Sequence, residues 1–170
     1  MPNQTLDAFN HLDPTAAAAA ILSCNGSLAW AEGVAAARPL TTPEALFEAS
    51  DRVWNSLSKK AWQHAFDSHP RIGEHQAKAA TAQSLQWSEG EQAAAQLTED
   101  TQTALAAANR DYEAKFNRIF IVCASGKTAA EMLGILRSRL TNDPEKELRI
   151  AAEQQRQITQ IRLRKWLGIP

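Results

Sequence analysis

The stretch DSHPRIGEH, residues 67–75, gathers two histidines, two carboxylates, an arginine, a proline and a glycine in a chain otherwise rich in alanine and leucine. A histidine in a turn beside proline is kept out of the regular hydrogen bonding of a helix, so its ring can meet a ligand. Its ordinary pKa of about 6.5 suits proton transfer at neutral pH. His69 is therefore a candidate acid or base, with a purely structural turn histidine as the competing reading. The histidines at 64, 69 and 75 also raise the question of metal. Their spacings of five and six do not match the i, i+4 face of a helical zinc site, and no cysteine lies nearby to complete one. No metal site is expected; His64 reads as a helix-surface residue and His75 as a solvated one.

About twenty residues further on, SEGEQ (88–92) offers a hydroxyl, two carboxylates and an amide. Glu91 follows Ser88 at capping-box spacing, so it reads either as a working carboxylate or as the partner of a helix cap. In ASGKT (124–128), Gly126-Lys127-Thr128 resembles the end of a phosphate-binding loop. The full pattern needs a glycine where Ile121 stands, and a simpler expectation is that Ser125 caps the helix that follows. The basic segment RQITQIRLRKW reads as a solvated face, except at Arg162. Four residues after Ile158 and next to Ile161, that arginine borders an apolar stripe, where a guanidinium usually has an anionic partner.

These groups must be positioned by a modest frame. At 170 residues, with 44% hydrophobic and 22% charged residues, the chain fits one globular domain, expected to span 1–170. A net charge of -1 gives no electrostatic footprint for nucleic acid or an anionic membrane surface. No apolar run approaches the roughly 20 residues needed to cross a bilayer. Two cysteines are too few for a disulfide framework, the N-terminus lacks a secretory pattern and the terminal GIP is no peroxisomal address. A cytoplasmic location is expected.

The elements read as helix almost throughout. Asp13-Pro14, Thr42-Pro43 and Asp143-Pro144 each pair a capping side chain with proline at the first helical position. The first helix is expected to stop near Asn25-Gly26, and the next to cover SLAWAEGVAAA. The one from Pro43 carries an apolar stripe of Leu46, Phe47, Val53, Trp54 and Leu57. Its neighbour restarts near Ser58 and must end by Ser68, since the residue before proline disfavours the α region. A long helix is predicted to start at Ser88 and reach about Ala108. KFNRIFIVCA holds the only β-like run, and one run without a partner makes no sheet; it reads as a buried helix start or an extended connector. TAAEMLGILRSRL and PEKELRIAAEQQRQITQIRLRKWL supply two more helices. The expected fold is a single all-α, irregular helical bundle of about seven to nine helices.

Taken in order, SHPRIGE, SEGEQ, ANRDYEAKF, FIVCASGKTAAEMLGILRSRLTND and EKELRIAAEQQRQITQIRLRKWL resemble the family of 2-oxo-4-hydroxy-4-carboxy-5-ureidoimidazoline (OHCU) decarboxylase. The likeness runs from about Pro43 to Leu167 and rests on the ordered set rather than on one motif. It implies an all-helical, typically homodimeric enzyme, without metal or organic cofactor, that releases CO2 from a ureidoimidazoline to give (S)-allantoin, the last step of urate breakdown. By the same resemblance the catalytic histidine falls on His69, with Pro70 shaping the substrate wall. Ser88, Glu89, Gly90, Glu91 and Gln92 form the substrate-binding stretch, Glu91 being the carboxylate near the histidine. Phe120, Ile121, Val122, Cys123 and Ala124 form the loop whose backbone meets the ring, and Arg162 is the arginine of the last helix. One departure stands out: the family usually has glycine and an aromatic after KF, where this chain has Asn117 and Arg118. Two other readings are an inactive helical module that binds a urate- or allantoin-like ligand, and a nucleotide-binding domain using Gly126-Lys127-Thr128.

Overall fold

The computed structural model describes residues 1–72, 81–92 and 98–170, with Gln92 described by its backbone alone. Among the described residues the chain is all-α, with no strand. The helices are α1 (Gln4–His11), α2 (Pro14–Ile21), α3 (Leu28–Ala36), α4 (Pro43–Ser56), α5 (Lys59–Phe66), α6 (Ala82–Gln92), α7 (Glu99–Phe116), α8 (Ala129–Arg139) and α9 (Pro144–Leu167). A 3-10 turn, Leu22–Cys24, ends the α2 segment ahead of Gly26, whose φ of 96° suits glycine.

The three cap-proline starts are all present. Asp13 Oδ1 accepts from the Ala16 amide at 3.0 Å, Thr42 Oγ1 from Ala45 at 3.1 Å and Asp143 Oδ1 from Lys146 at 3.0 Å. The donated Lys146 amide also holds the Asp143 carboxyl below its ordinary pKa. Asn3 caps α1 in the same way, a helix that the sequence reading had not assigned.

Two expected starts are corrected. Ser88 does not open a long helix; it lies inside α6 and is buried. The start belongs to Thr81 and Ser84, where the Ser84 amide donates to Thr81 Oγ1 at 3.0 Å and the Thr81 amide to Ser84 Oγ at 3.1 Å. The second helix of that region, α7, starts from the Thr98 cap and runs on to Phe116. Likewise α8 is capped by Thr128 rather than Ser125, because Glu131 sits three residues after the threonine and completes a capping box.

The chain divides into two compact units, residues 1–65 with 156–170, and residues 66–155. In the first, Leu46 and Trp54 of the α4 stripe are buried, and Phe47, Val53 and Leu57 are half-buried. A Cβ on Gly33 would stand 2.6 Å from Val53 Cγ1, so glycine is what lets α3 and α4 approach. Trp30 Nε1 donates to Ser50 Oγ at 3.2 Å across the same pair, and Phe9 meets Trp166 edge-on at 5.4 Å. In the second unit, Ala108, Tyr112 and Phe116 of α7 pack with Phe120, Val122 and Ala124 and with Met132 and Leu136 of α8. Beyond Phe116, which ends α7, the KFNRIFIVCA stretch is an extended connector, and its residues 119–124 are buried.

Candidate active site

His69 sits in the turn that ends α5. Its amide donates to Phe66 O at 3.1 Å, and Pro70 forbids a further helical turn. Ser68, His69 and Pro70 are all buried, His69 at 8% exposure. The ring Nε2 lies 2.7 Å from Oε1 of Gln155, a fully buried amide on α9. The turn is tied down on its far side as well. Arg71 Nε donates to both oxygens of Glu113 on α7, at 3.1 and 3.0 Å, and Nη2 donates to Oε1 at 2.8 Å. Such a fork-to-fork pair fixes orientation as well as distance.

The SEGEQ stretch forms the end of α6. Ser88 is buried, Glu89 and Gly90 are exposed, and Glu91 is half-buried. Because Ser88 lies within the helix, Glu91 is not the partner of an N-cap. His75 and the side chain of Gln92 lie outside the described residues.

The connector that follows α7 is braced on several sides. Asn117 ends α7 in the left-handed conformation, φ 54° and ψ 35°, and its amide donates back to Glu113 O. After glycine, asparagine is the residue that most readily adopts this conformation, which suits Asn117 to the position. Phe120, Ile121, Val122, Cys123 and Ala124 then run buried. Arg139 Nη1 donates to Ile121 O at 2.7 Å, and its guanidinium lies 4.5 Å from the centre of the Phe120 ring. Arg139 is held in turn by Glu147, which is fully buried and also accepts from the Tyr112 hydroxyl at 2.6 Å and Asn142 Nδ2 at 3.0 Å. Burial first, and then the bond to Glu147, push the Tyr112 phenol above its ordinary range. Gln154 Oε1 accepts the Cys123 amide at 2.9 Å, and Lys127 Nζ donates to Cys123 O at 2.7 Å. Lys127 therefore braces the loop in place of the phosphate contact its motif suggested.

Arg162 belongs to the other unit. It is completely buried, and its Nη1 donates to Ser23 O at 3.2 Å. Beside it, burial pushes the Cys24 thiol up to about 12, with the guanidinium pulling the other way. His64 is exposed, as expected. Among the described residues no group of three or more His, Cys, Asp or Glu side chains could hold a metal ion.

Sequence reasoning missed Gln155, Gln154, Arg139, Glu147, Tyr112 and the Arg71–Glu113 pair. Adjacent glutamines in a helix carry no signal of their own. Arg139 and Glu147 lay on two helices whose spacing hides their meeting, and a bidentate pair 42 positions apart cannot be read from spacing at all.

Comparison with known proteins identifies the family. The family model described as OHCU decarboxylase matches residues 10–164. The chain is 39% identical over 144 residues to the uric acid degradation bifunctional protein TTL of Arabidopsis thaliana, a match covering 84% of this chain and 44% of that longer protein. A crystal structure of OHCU decarboxylase in the presence of (S)-allantoin is similar with a TM-score of 0.75 at 35% identity, over 86% of this chain and 96% of that one. A crystal structure of (S)-allantoin synthase shares the fold, with a TM-score of 0.70 at 19% identity, over 95% of this chain and 53% of the other. The family match covers most of the chain, and the chain belongs to the OHCU decarboxylase family.

Proposed function

We propose that the protein is a cofactor-independent carboxy-lyase that converts 2-oxo-4-hydroxy-4-carboxy-5-ureidoimidazoline to (S)-allantoin and CO2. The observation that carries this reading is His69, buried in a proline turn with one ring nitrogen fixed by a buried amide, in a chain of this family. Losing CO2 leaves an electron pair on carbon, and without a cofactor the substrate's own ring must delocalise it into a neighbouring carbonyl or imine. The protein's part is to hold the carboxylate out of the ring plane, to stabilise charge on the ring, and to deliver a proton to one face.

In this reading His69 handles the proton and Glu91 is the carboxylate beside the reacting centre. Pro70 shapes the wall of the site. Ser88 and Gln92 bind ureido or ring polar atoms, and Glu89 and Gly90 belong to the same substrate-binding stretch. The Cys123 amide is engaged by Gln154, so the reading places the ring oxygen on the amides of Ile121 and Val122, between the flanking Phe120 and Ala124. Arg162 supplies the positive charge for the anionic substrate. A cytoplasmic homodimer completes the reading.

Spontaneous decay of the ureidoimidazoline gives racemic allantoin, so stereospecific protonation is what the protein must add. The test is circular dichroism with substrate made fresh by urate oxidation and hydrolysis. Rapid growth of the (S)-allantoin signal in proportion to protein supports the reading; a rate and an enantiomeric composition equal to the protein-free control overturn it.

A further inference from the structure

His69 Nε2 and Gln155 Oε1 lie 2.7 Å apart, both side chains are buried, and Gln155 is at 0% exposure. An amide oxygen can only accept, so the hydrogen between them belongs to the imidazole, and in the neutral ring Nδ1 then carries the lone pair. Unlike a carboxylate in the same place, an amide brings no charge. It selects the tautomer without drawing the ring towards the imidazolium form. Its neighbour Gln154 holds the Cys123 amide at 2.9 Å. Consecutive side chains of a helix point about 100° apart, so one turn of α9 braces both the histidine turn and the connector loop.

We propose that Gln155 is a positioning residue that fixes His69 in the Nε2–H tautomer and makes Nδ1 the atom that exchanges a proton with the substrate. The functional half of this inference rests on the reading of His69 as the proton-handling group. In the protonating step the Nδ1–H bond of the imidazolium breaks and its proton joins the electron pair left by departing CO2, forming the new C–H bond. The ring returns to the neutral Nε2–H form held by Gln155, and Nδ1 regains a proton from solvent water for the next turnover.

The test has a spectroscopic arm and a kinetic arm on the full chain. With 15N-labelled histidine, at a pH well above the ring's titration, the His69 signals are assigned by their loss in His69→Asn. Nε2 is expected to be of the protonated pyrrole type and Nδ1 of the unprotonated pyridine type. In Gln155→Met the two tautomers mix, and kcat falls by at least about tenfold while KM stays within about twofold. Gln155→Glu keeps the acceptor and the tautomer, but its charge favours the imidazolium and moves the alkaline limb of the kcat profile to higher pH. Should Gln155→Met fail to fold, the wild-type tautomer and the Gln155→Glu profile still decide the matter. An Nδ1–H tautomer in the wild-type protein, or a folded Gln155→Met with wild-type kcat, overturns the proposal. Undiminished activity in His69→Asn with the Nε2–H tautomer intact in wild type would instead refute the functional reading alone.

Discussion

Arg139 and Glu147 form a buried ion pair, bonded from Nε to Oε1 at 2.8 Å, with Glu147 at 0% and Arg139 at 5% exposure. The pair reaches further than its own two residues, because Arg139 also carries the Ile121 carbonyl and Glu147 the Tyr112 hydroxyl. A charge buried without its partner is costly, and removing one member of such a pair typically destabilises by about 3–5 kcal/mol. Arg139→Met should therefore lower unfolding free energy in urea by about that amount. A double change to apolar residues of similar volume should lose less, since it strands no charge. A single-variant loss under about 1 kcal/mol would mean that the pair is not closed in solution.

Asn117 at φ 54° predicts different outcomes for two small residues. Asn117→Gly should be close to neutral, while Asn117→Ala should cost about 1–2 kcal/mol, because alanine has neither glycine's freedom nor the short polar side chain that lets asparagine tolerate the left-handed region. Thermal melts of the two variants compare them directly; equal melting temperatures would contradict the left-handed cap.

Gly33→Ala tests the contact between α3 and α4. Its Cβ would lie 2.6 Å from Val53 Cγ1, so Val53 or the helices must shift, at a cost of about 1–3 kcal/mol. Adding Val53→Ala should recover part of that loss, and purely additive effects of the two changes would count against close contact.

Alkaline pH should weaken the fold through Cys24. Its thiol stays protonated in the folded chain to about 12, while in the unfolded chain it ionises from 9.0 upward. The unfolded state then binds fewer protons, so stability is intact below 9.0 and falls as the pH climbs towards about 12. Tyr112, also pushed upward, acts in the same direction. Cys24→Ala should flatten the part of the decline that begins near 9.0 in urea unfolding at stepped pH. An unchanged slope would assign that decline to other groups.

Much of the frame was legible because its signals are local. Three cap-proline starts and the α4 stripe depend on neighbours within a turn or two, and each appears where the sequence places it. The two displaced helix starts show the limit of such signals. Ser88 and Ser125 are acceptable caps, but Thr81 with Ser84, and Thr128 with Glu131, satisfy two orphan amides rather than one. His69 was legible as a residue freed by proline, whereas its partner was not. Nothing in the sequence joins Gln155 to a turn 86 positions away. Such a contact is set by packing, which no period or spacing records.

The central claim is that His69 delivers the proton that makes the product a single enantiomer. His69→Ala, first shown by its melt to be folded, should be followed by circular dichroism with freshly generated substrate. The account predicts loss of the acceleration by at least about a hundredfold, and allantoin of vanishing enantiomeric excess. Near-normal accumulation of (S)-allantoin by the folded variant would contradict it.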